Sequence, residues 1–177
     1  PGYIQITDKK YRASPSFKHL IFDAATIDRK LAQNDDIASY GARFESFVLF
    51  SVEEKAVGGM LTGIEPEKEK YLSRLSSSLQ KGAYLRADDT NQLYIGSEFA
   101  KRLKLDVGDE VAFIGSEADY SFAADNLIIK GIFQTGLCDF DAGSAFLVKG
   151  YFDRIMAAEN YATHFIVLPK RPGQAEQ

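Results

Sequence analysis

One stretch of this sequence, residues 93–111, constrains the fold more than any other. Its first apolar residues are typical of a strand that ends at Gly96. The next apolar residues recur at helical spacing, which predicts an amphipathic helix: Phe99, Ala100 and Leu103. Gly108-Asp109 then predicts a tight turn before a second strand, because glycine reaches positive φ without a Cβ clash and aspartate tolerates turn geometry. The stretch contains no nucleophile, no pair of metal ligands and no phosphate-binding loop, so it predicts a structural element of a protein that works through shape and contact.

The composition is that of a globular protein. The chain has 177 residues, of which 45% are hydrophobic and 26% are charged, enough for one domain or for two small lobes with a sizeable core. A net charge of −4 argues against a nucleic-acid-binding protein, because neutralising phosphates requires clustered lysine and arginine. Cys138 is the single cysteine, so no disulfide can form within the chain.

The two ends of the chain suggest that it is a piece of something longer. No apolar run approaches the roughly 18 residues that a membrane-spanning helix needs. The chain opens on Pro1 rather than on methionine, no signal peptide is recognisable, and residues 169–177 form a polar tail that we expect to be frayed. We therefore expect a soluble piece of a longer protein, and a membrane-embedded parent stays open.

The order of predicted elements mixes strands and helices without a strict βαβ repeat, which favours the α+β class. Alternation and β-forming residues predict strands at 3–6, 37–51, 55–64, 84–85, 127–133, 144–148 and 164–168. Helical spacing and capping residues predict further helices at 23–33, 65–79 and 151–158. We interpret 115–126 and 137–141 as loops, and Gly58-Gly59 as a bulge or bend within its strand.

Candidate catalytic and metal-binding residues are few. His19 and His164 are the two histidines, and neither has a partner at metal-ligand spacing, so packed or surface imidazoles are the favoured interpretation. Among the acidic pairs, Asp139 and Asp141 are the best candidates for a calcium site or for the carboxylates of a hydrolase. Turns and helix starts favour such pairs for backbone reasons alone, so we favour a structural role.

Tyr120 and Phe122 are aromatic residues in the otherwise polar segment that we predict as a loop at 115–126. Exposed aromatic side chains make effective contact points in protein interfaces. The alternative is that both rings fold back onto the core. We keep both residues as candidate partner contacts beside that alternative.

Five short motifs occur in the order found in one family. They are Gly2-Tyr3-Ile4-Gln5-Ile6 followed by Tyr11 and Pro15, Gly63-Ile64-Glu65-Pro66, Gly82-Ala83-Tyr84-Leu85, the 93–111 stretch, and Gly131-Ile132-Phe133 continuing to Gly136 and Asp141. The positions that we take as structural markers are Gly63, Pro66, Gly96, Gly108, Asp109, Gly131 and Gly136. Each motif is unspecific by itself, but together they cover nearly the whole chain. On these motifs the chain resembles the periplasmic domain of ABC-transporter permeases of the MacB and LolC/LolE type, which share the FtsX-like permease region.

The resemblance implies a two-lobed α+β fold. Both chain ends, 1–63 and 128–168, would form a porter-like α/β lobe, and 64–127 would form a small inserted α/β lobe. It also implies a location on the extracytoplasmic, periplasmic face of the bacterial cytoplasmic membrane, as part of an integral membrane permease. No catalytic residue, cofactor or metal is expected in such a domain, and ATP hydrolysis would take place in a separate cytoplasmic subunit or domain.

The resemblance implies partners as well. They are an ABC ATPase subunit reached through the parent permease, a second permease copy or paralogue in a dimer, and a periplasmic carrier or outer-membrane protein as a further candidate. In lipoprotein-exporting members, a protruding hairpin of the inserted lobe engages a periplasmic carrier. The matching segment here, 115–126, is short for such a hook, which puts lipoprotein handover in doubt.

Our leading prediction is the extracytoplasmic domain of an ABC exporter permease, which couples ATP-driven motion to export or release of a lipoprotein, peptide or small molecule. Two alternatives stay open. One is a free-standing soluble hydrolase that uses Asp139 and Asp141. The other is a small-barrel DNA-binding protein built on the Gly108-Asp109 turn, against which the acidic net charge argues.

Overall fold

Nine strands and five α-helices make up the part of the chain that the computed structural model describes, residues 3–11, 13, 17–116 and 122–171. The strands are β1 (Ile4–Thr7), β2 (Ile37–Val52), β3 (Lys55–Ile64), β4 (Leu79–Gly82), β5 (Gln92–Gly96), β6 (Glu110–Ser116), β7 (Phe122–Phe133), β8 (Ser144–Val148) and β9 (His164–Pro169). The helices are α1 (Ala24–Ala32), α2 (Pro66–Leu72), α3 (Ser97–Leu103), α4 (Cys138–Gly143) and α5 (Lys149–Ile155). None of the helices in these ranges is long and apolar enough to cross a membrane.

Strand β2, with 16 residues, belongs to two parts of the sheet. Its residues 37–43 pair antiparallel with β9, which pairs in turn with β1. Its residues 44–52 form a hairpin with β3, and residues 49–51 also pair with β6. Because one continuous strand supplies both sets of hydrogen bonds, the two parts of the sheet cannot turn relative to each other without bending β2.

The sheet has mixed strand directions. Its order is β1-β9-β2-β3-β8-β5-β7-β4, and β6 pairs with β2 and β7. The β3–β8 and β5–β7 pairs are parallel, whereas the other pairs are antiparallel, so the α+β class predicted from the sequence is confirmed. Strand β6 of the predicted inserted lobe pairs with β2, and β7 runs through the predicted boundary at Leu127. The division into lobes stays a prediction.

Helix α1 closes a small apolar cluster at the edge formed by the chain ends. The Asp23 carboxylate caps the helix by accepting the backbone N–H of Thr26 at 3.3 Å. Leu31 of the helix packs with Phe165 and Val167 of β9. This burial attaches the helix to the first part of the sheet.

The largest apolar cluster lies under the second part of the sheet. It joins strands to helices α3 and α5 through fully buried aromatic rings: Phe44, Phe50, Phe99, Phe113 and Phe152. Phe50 meets Phe99 edge to face at a centroid distance of 5.2 Å, the geometry that aromatic pairs prefer. A third cluster surrounds Tyr94, whose hydroxyl donates to the Leu75 carbonyl at 2.9 Å.

The 93–111 stretch folds as the sequence predicts, into β5, α3, a turn and β6. Helix α3 buries the predicted apolar face of Phe99, Ala100 and Leu103. Gly108 has φ +92, and the Asp109 carboxylate accepts the backbone N–H of Asp106 at 2.7 Å. Gly108 therefore supplies the positive φ that the turn needs, and the Asp109 side chain stabilises the turn by a hydrogen bond to the backbone, as the sequence predicts.

Two of the marker glycines lie where another backbone passes. A Cβ at Gly96 would lie 2.2 Å from the carbonyl oxygen of Asp141, and a Cβ at Gly131 would lie 2.2 Å from the carbonyl oxygen of Ala83. Both distances are far inside van der Waals contact, so only glycine fits. Among the other markers, Gly63 faces the Phe152 side chain, Gly136 has φ +85, and Pro66 is the first residue of α2.

Of the bulge or bend expected at Gly58-Gly59, the bulge is wrong. The β2–β3 register runs without a shift from Phe44 opposite Gly63 to Val52 opposite Lys55. The two glycines instead make room for rings, since a Cβ at Gly58 would lie 2.6 Å from Phe47 and one at Gly59 would lie 2.5 Å from Phe99.

Helix α2 is shorter than expected, and the strand expected at 84–85 does not form. The helix ends at Leu72. The hydroxyls of Ser77 and Ser78 then donate to the Arg74 carbonyl, and these hydrogen bonds stabilise the turn that leads into β4 at Leu79. Beyond Gly82, which has φ +78, Tyr84 and Leu85 are held by packing against the third cluster without strand pairing.

Two predicted loops contain regular structure. Residues 122–126 belong to β7 and pair with β6, from Ser116 opposite Phe122 onwards. Residues 138–143 form helix α4 because the Asp141 carboxylate accepts hydrogen bonds from the segment just before the helix. The loop prediction from composition therefore missed one antiparallel strand pair and one short helix.

We predict that Gly96→Ala lowers the free energy of unfolding by about 1–3 kcal/mol, because the added methyl overlaps the Asp141 carbonyl and forces the backbone to move. Gly150→Ala is the matched control: it is also a glycine beside a helix start, but no atom lies within 4 Å of its added Cβ. Urea titrations of both variants make the comparison. Equal midpoints for Gly96→Ala and the wild-type chain would contradict the close approach.

Candidate partner-binding surface

Four large apolar side chains on the outer face of strands β2, β6 and β7 are exposed to solvent. We call them the apolar strip: Phe47, Leu49, Ile114 and Phe122. Phe122 is 81% exposed and Phe47 is 69% exposed. Single exposed apolar residues are ordinary, but a contiguous group of them marks an interaction site.

The strand register brings the strip together. Leu49 of β2 lies directly opposite Ile114 of β6. On the other side of β6, Ile114 pairs with Ala124, and Ser116 pairs with Phe122 of β7. Because alternate residues of a strand share a face, Phe122 lies on the same face as Ala124 and therefore as Ile114.

Phe47 completes the strip at its β3 side. Its ring lies over the backbone of Gly58, where a Cβ would approach its Cζ to 2.6 Å. The ring is supported from below by main chain and is open to solvent above. An aromatic side chain held in this way loses little further entropy when a partner covers it.

The opposite face of the same strands is also apolar, but it is buried. Val48, Phe50 and Phe113 point into the core, each fully or almost fully covered. A sheet with one solvated face usually shows polar residues on that face. Apolar residues on both faces here make this part of the sheet the candidate for a contact surface.

Of the four strip residues, the sequence singles out Phe122 alone as a candidate contact. Phe122 is exposed, as a partner contact requires, while Tyr120 lies outside the described residues. The sequence predicts a strand at Phe47 and Leu49 but not which side chains face outward, because the run 47–50 is apolar throughout and shows no alternation. The uninterrupted apolar run is itself the indication, because a strand that is apolar at every position has apolar side chains on both faces.

The strip lies far from the chain ends. β1 and β9 are antiparallel neighbours, and Ile37, at the start of β2, pairs with Pro169 at the end of β9. The described chain therefore enters and leaves at one end of the sheet. Phe47 follows Ile37 by ten residues of the same strand, about 33 Å at the rise of an extended chain.

The structure does not assemble a catalytic carboxylate pair from Asp139 and Asp141. Asp139 is exposed on α4, whereas Asp141 is 2% exposed. Both oxygens of Asp141 accept hydrogen bonds from two residues on the N-terminal side of the helix: the Thr135 N–H at 3.0 and 3.1 Å, the Thr135 hydroxyl at 2.7 Å and the Gly136 N–H at 3.0 Å. A carboxylate occupied in this way organises a turn, and the arrangement gives the hydrolase alternative no support.

The histidines and the cysteine are not brought together either. His164 is buried on β9, where burial and the nearby Arg43 cation lower its pKa to about 4, so its imidazole is neutral at physiological pH. Cys138 is exposed at the start of α4. Within the described residues, no group of three or more histidine, cysteine or acidic side chains is placed to hold a metal ion.

Comparison with solved structures identifies the fold. The chain is similar to the extracellular domain of the noncanonic ABC-type transporter YknZ from Gram-positive bacteria, with a TM-score of 0.70 and 16% identity over 98% of this chain and 86% of that one. It is also similar to the periplasmic region of MacB from Actinobacillus actinomycetemcomitans, with a TM-score of 0.68 and 14% identity over 94% of this chain and 74% of that one. A domain of a protein described as a permease from Porphyromonas gingivalis has a TM-score of 0.52 and 12% identity over 86% of this chain and 63% of that one.

Sequence comparisons with family models and with curated proteins find no match. The structural neighbours nevertheless confirm, at the level of the fold, the resemblance to MacB-type permease domains that the sequence motifs predict. At identities of 12–16%, the likeness extends to the fold alone.

We predict that Asp141→Asn lowers the free energy of unfolding by about 1–3 kcal/mol, because the amide removes the charge and can no longer accept bonds at both positions. Asp139→Asn, a change to an exposed residue of the same helix, is the control and should stay within about 0.5 kcal/mol of wild type. Chemical denaturation of the three chains measures the difference. An Asp141→Asn chain as stable as wild type would contradict the structural role.

Proposed function

We propose that this chain, which has the fold of the extracytoplasmic domains of ABC-transporter permeases, is itself such a domain in a longer membrane-embedded permease. The observation that carries the proposal is the shared fold over 98% and 94% of the chain with the YknZ and MacB domains. In this proposal the domain is not catalytic. It couples ATP-driven motion of the transporter, powered by an ATPase subunit or domain in the cytoplasm, to export or release of a substrate.

The position of the chain ends supports this role. The start of β1 and the end of β9 lie side by side at one end of the sheet. Membrane helices attached to both ends would therefore hold the domain by a single base. A movement between such helices would act directly on the β1–β9–β2 part of the sheet.

Strand β2 would carry that movement to the apolar strip. It is hydrogen-bonded along both parts of the sheet and has no break between Ile37 and Val52, apart from one irregularity near Ile37. A strand held by ladders on its neighbours resists bending, so a tilt at the base displaces the far end. The strip would then meet or release a protein partner as the transporter cycles.

We propose the strip as the contact for a protein partner, either a second permease copy or paralogue or a periplasmic carrier or outer-membrane protein. Its composition supports this, since large apolar and aromatic anchors surrounded by small polar residues characterise the centre of protein interfaces. Ser51, Ser116 and Asn126 lie on the same face at its edges.

The location can be tested with the native cysteine. In cells that carry the full-length parent permease, a membrane-impermeant maleimide should label Cys138 without permeabilisation, because the thiol is exposed and the proposed location is outside the membrane. The Cys138→Ser parent is the control for labelling elsewhere. Labelling of Cys138 only after permeabilisation would place the domain in the cytoplasm and reject the proposal.

The partner contact can be tested with a photo-crosslinking amino acid. Introduced at position 122 of the parent permease, it should yield a covalent adduct with a protein, and introduced at Tyr71, which is 74% exposed on α2 and lies off the strip, it should yield at least several-fold less. Mass spectrometry of the adduct separates a second permease copy from another protein. Equal or absent crosslinking at the two positions would reject the strip as the contact.

A further inference from the structure

A cleft of about 450 Å³ opens between the α2–β4 connection and helix α4. It shares no residue with the apolar strip, although Arg43 of β2 lines it, and the transport role proposed above does not involve it. Small-molecule sites in proteins have volumes of this order and combine mostly apolar walls with a few polar groups. The side chains of this cleft follow that pattern.

The walls of the cleft are apolar and partly aromatic. Leu75 and Phe146 form its buried part, each 4% exposed. Phe140 and Leu137 stand at the mouth and are 38% and 67% exposed. The Phe140 ring rests against Phe146 at a centroid distance of 6.1 Å, so the exposed and buried parts form one continuous apolar surface.

The polar side of the cleft carries one uncompensated positive charge. Arg43 donates from Nε to Glu69 at 3.2 Å and forms an ion pair with it through Nη2, so these two charges cancel. Arg74 also lines the cleft, and its side chain forms no ion pair with any residue in the described part of the chain. An unpaired arginine at the edge of a partly enclosed apolar site favours an anion, to which its planar guanidinium can donate two hydrogen bonds.

The backbone holds Arg74 in place at the cleft. Its carbonyl oxygen accepts the hydroxyls of Ser77 and Ser78 at 3.0 and 2.8 Å and the Ser78 N–H at 3.0 Å. The backbone of Arg74 is therefore fixed, and the position of the guanidinium depends only on the side-chain rotamer.

The acidic residue that lines the cleft and the buried Asp141 behind it do not oppose an anion. Glu69 is paired with Arg43. Asp141 is buried behind Thr135 and is occupied by the Thr135 and Gly136 donors. Among the charged side chains that line the cleft, the charge left after the Arg43–Glu69 pair is that of Arg74.

From this geometry we infer that the cleft binds a small anionic amphiphile, a molecule with an apolar body and one carboxylate or phosphate head. The apolar body lies against Leu75, Phe140 and Phe146, and the head receives hydrogen bonds from Arg74. A cationic head would meet the arginine charge, and a neutral head would leave it without a partner. The site does not rest on the proposed transport function and belongs to the isolated 177-residue chain.

The test is a titration of the chain with decanoate, well below its micelle-forming concentration, followed by NMR chemical shifts. We expect saturable shifts at Leu75, Leu137 and Phe140. Decanol and decyltrimethylammonium are the neutral and cationic probes with the same apolar length, and each should bind at least about tenfold more weakly than decanoate. Decyl phosphate distinguishes a phosphate head from a carboxylate head, and binding of either anion supports the site.

Variants of exposed residues keep the fold intact and isolate the charge. Arg74→Ala should weaken decanoate binding at least about tenfold, whereas Arg86→Ala, which removes an exposed arginine outside the cleft, should leave it unchanged. Leu137→Glu, at the mouth, removes apolar contact and adds a negative charge, so it should weaken decanoate binding more than decanol binding. Circular dichroism confirms that each variant is folded.

Three results would overturn the inference: no saturable shifts with decanoate or decyl phosphate, decanoate binding by Arg74→Ala equal to wild type, or decyltrimethylammonium binding as tight as decanoate. The first rejects the site, and the other two reject the charge assignment. None of them bears on the membrane location or on the apolar strip, so failure here leaves the proposed transport function to its own tests.

Discussion

Strand β2 is the element on which the rest of the structure depends. Its first part completes the small sheet formed by the chain ends, and its second part supplies the hairpin with β3 and the pairing with β6. Buried backbone N–H and C=O groups need hydrogen-bond partners, and β2 supplies such partners to three neighbouring strands, β3, β6 and β9. The length of β2 alone sets the distance between the chain ends and the apolar strip, because an extended strand has a nearly constant rise per residue.

The hairpin has an unusual distribution of side chains for a sheet with one solvated face. Phe50 fills the core while Phe47 and Leu49 face outward. Gly58 and Gly59 accommodate rings on opposite faces, Phe47 outside and Phe99 inside. The core and the strip are therefore built on the same few residues, so the packing that stabilises the domain also holds the exposed surface in shape.

Local signals predicted most of the elements. The 93–111 stretch folds as expected because its glycine, turn and helical spacing act within a few residues of one another. The errors arise at segments whose structure depends on one particular hydrogen bond, strand partner or ring contact rather than on local spacing. Helix α4 forms in a segment that looks like a loop because Asp141 accepts bonds from Thr135 and Gly136, and 122–126 are a strand because β6 offers a partner. The Gly58-Gly59 pair is typical of a bulge, but here the two glycines make room for the rings of Phe47, on the neighbouring strand, and Phe99, on helix α3.

The amino-acid sequence by itself determined the α+β class, the central strand–helix–turn–strand unit and the family resemblance, because these depend on short-range spacing and on motif order. It also marked Phe122 as a candidate contact. Only the tertiary structure decided which apolar residues form the exposed strip, since β2, β6 and β7 had to pair before Leu49 could lie beside Ile114. It alone placed Arg74 at an apolar cleft and Asp141 inside a turn. Burial and charge at a site depend on what packs around it, and that is set by residues far away in the chain.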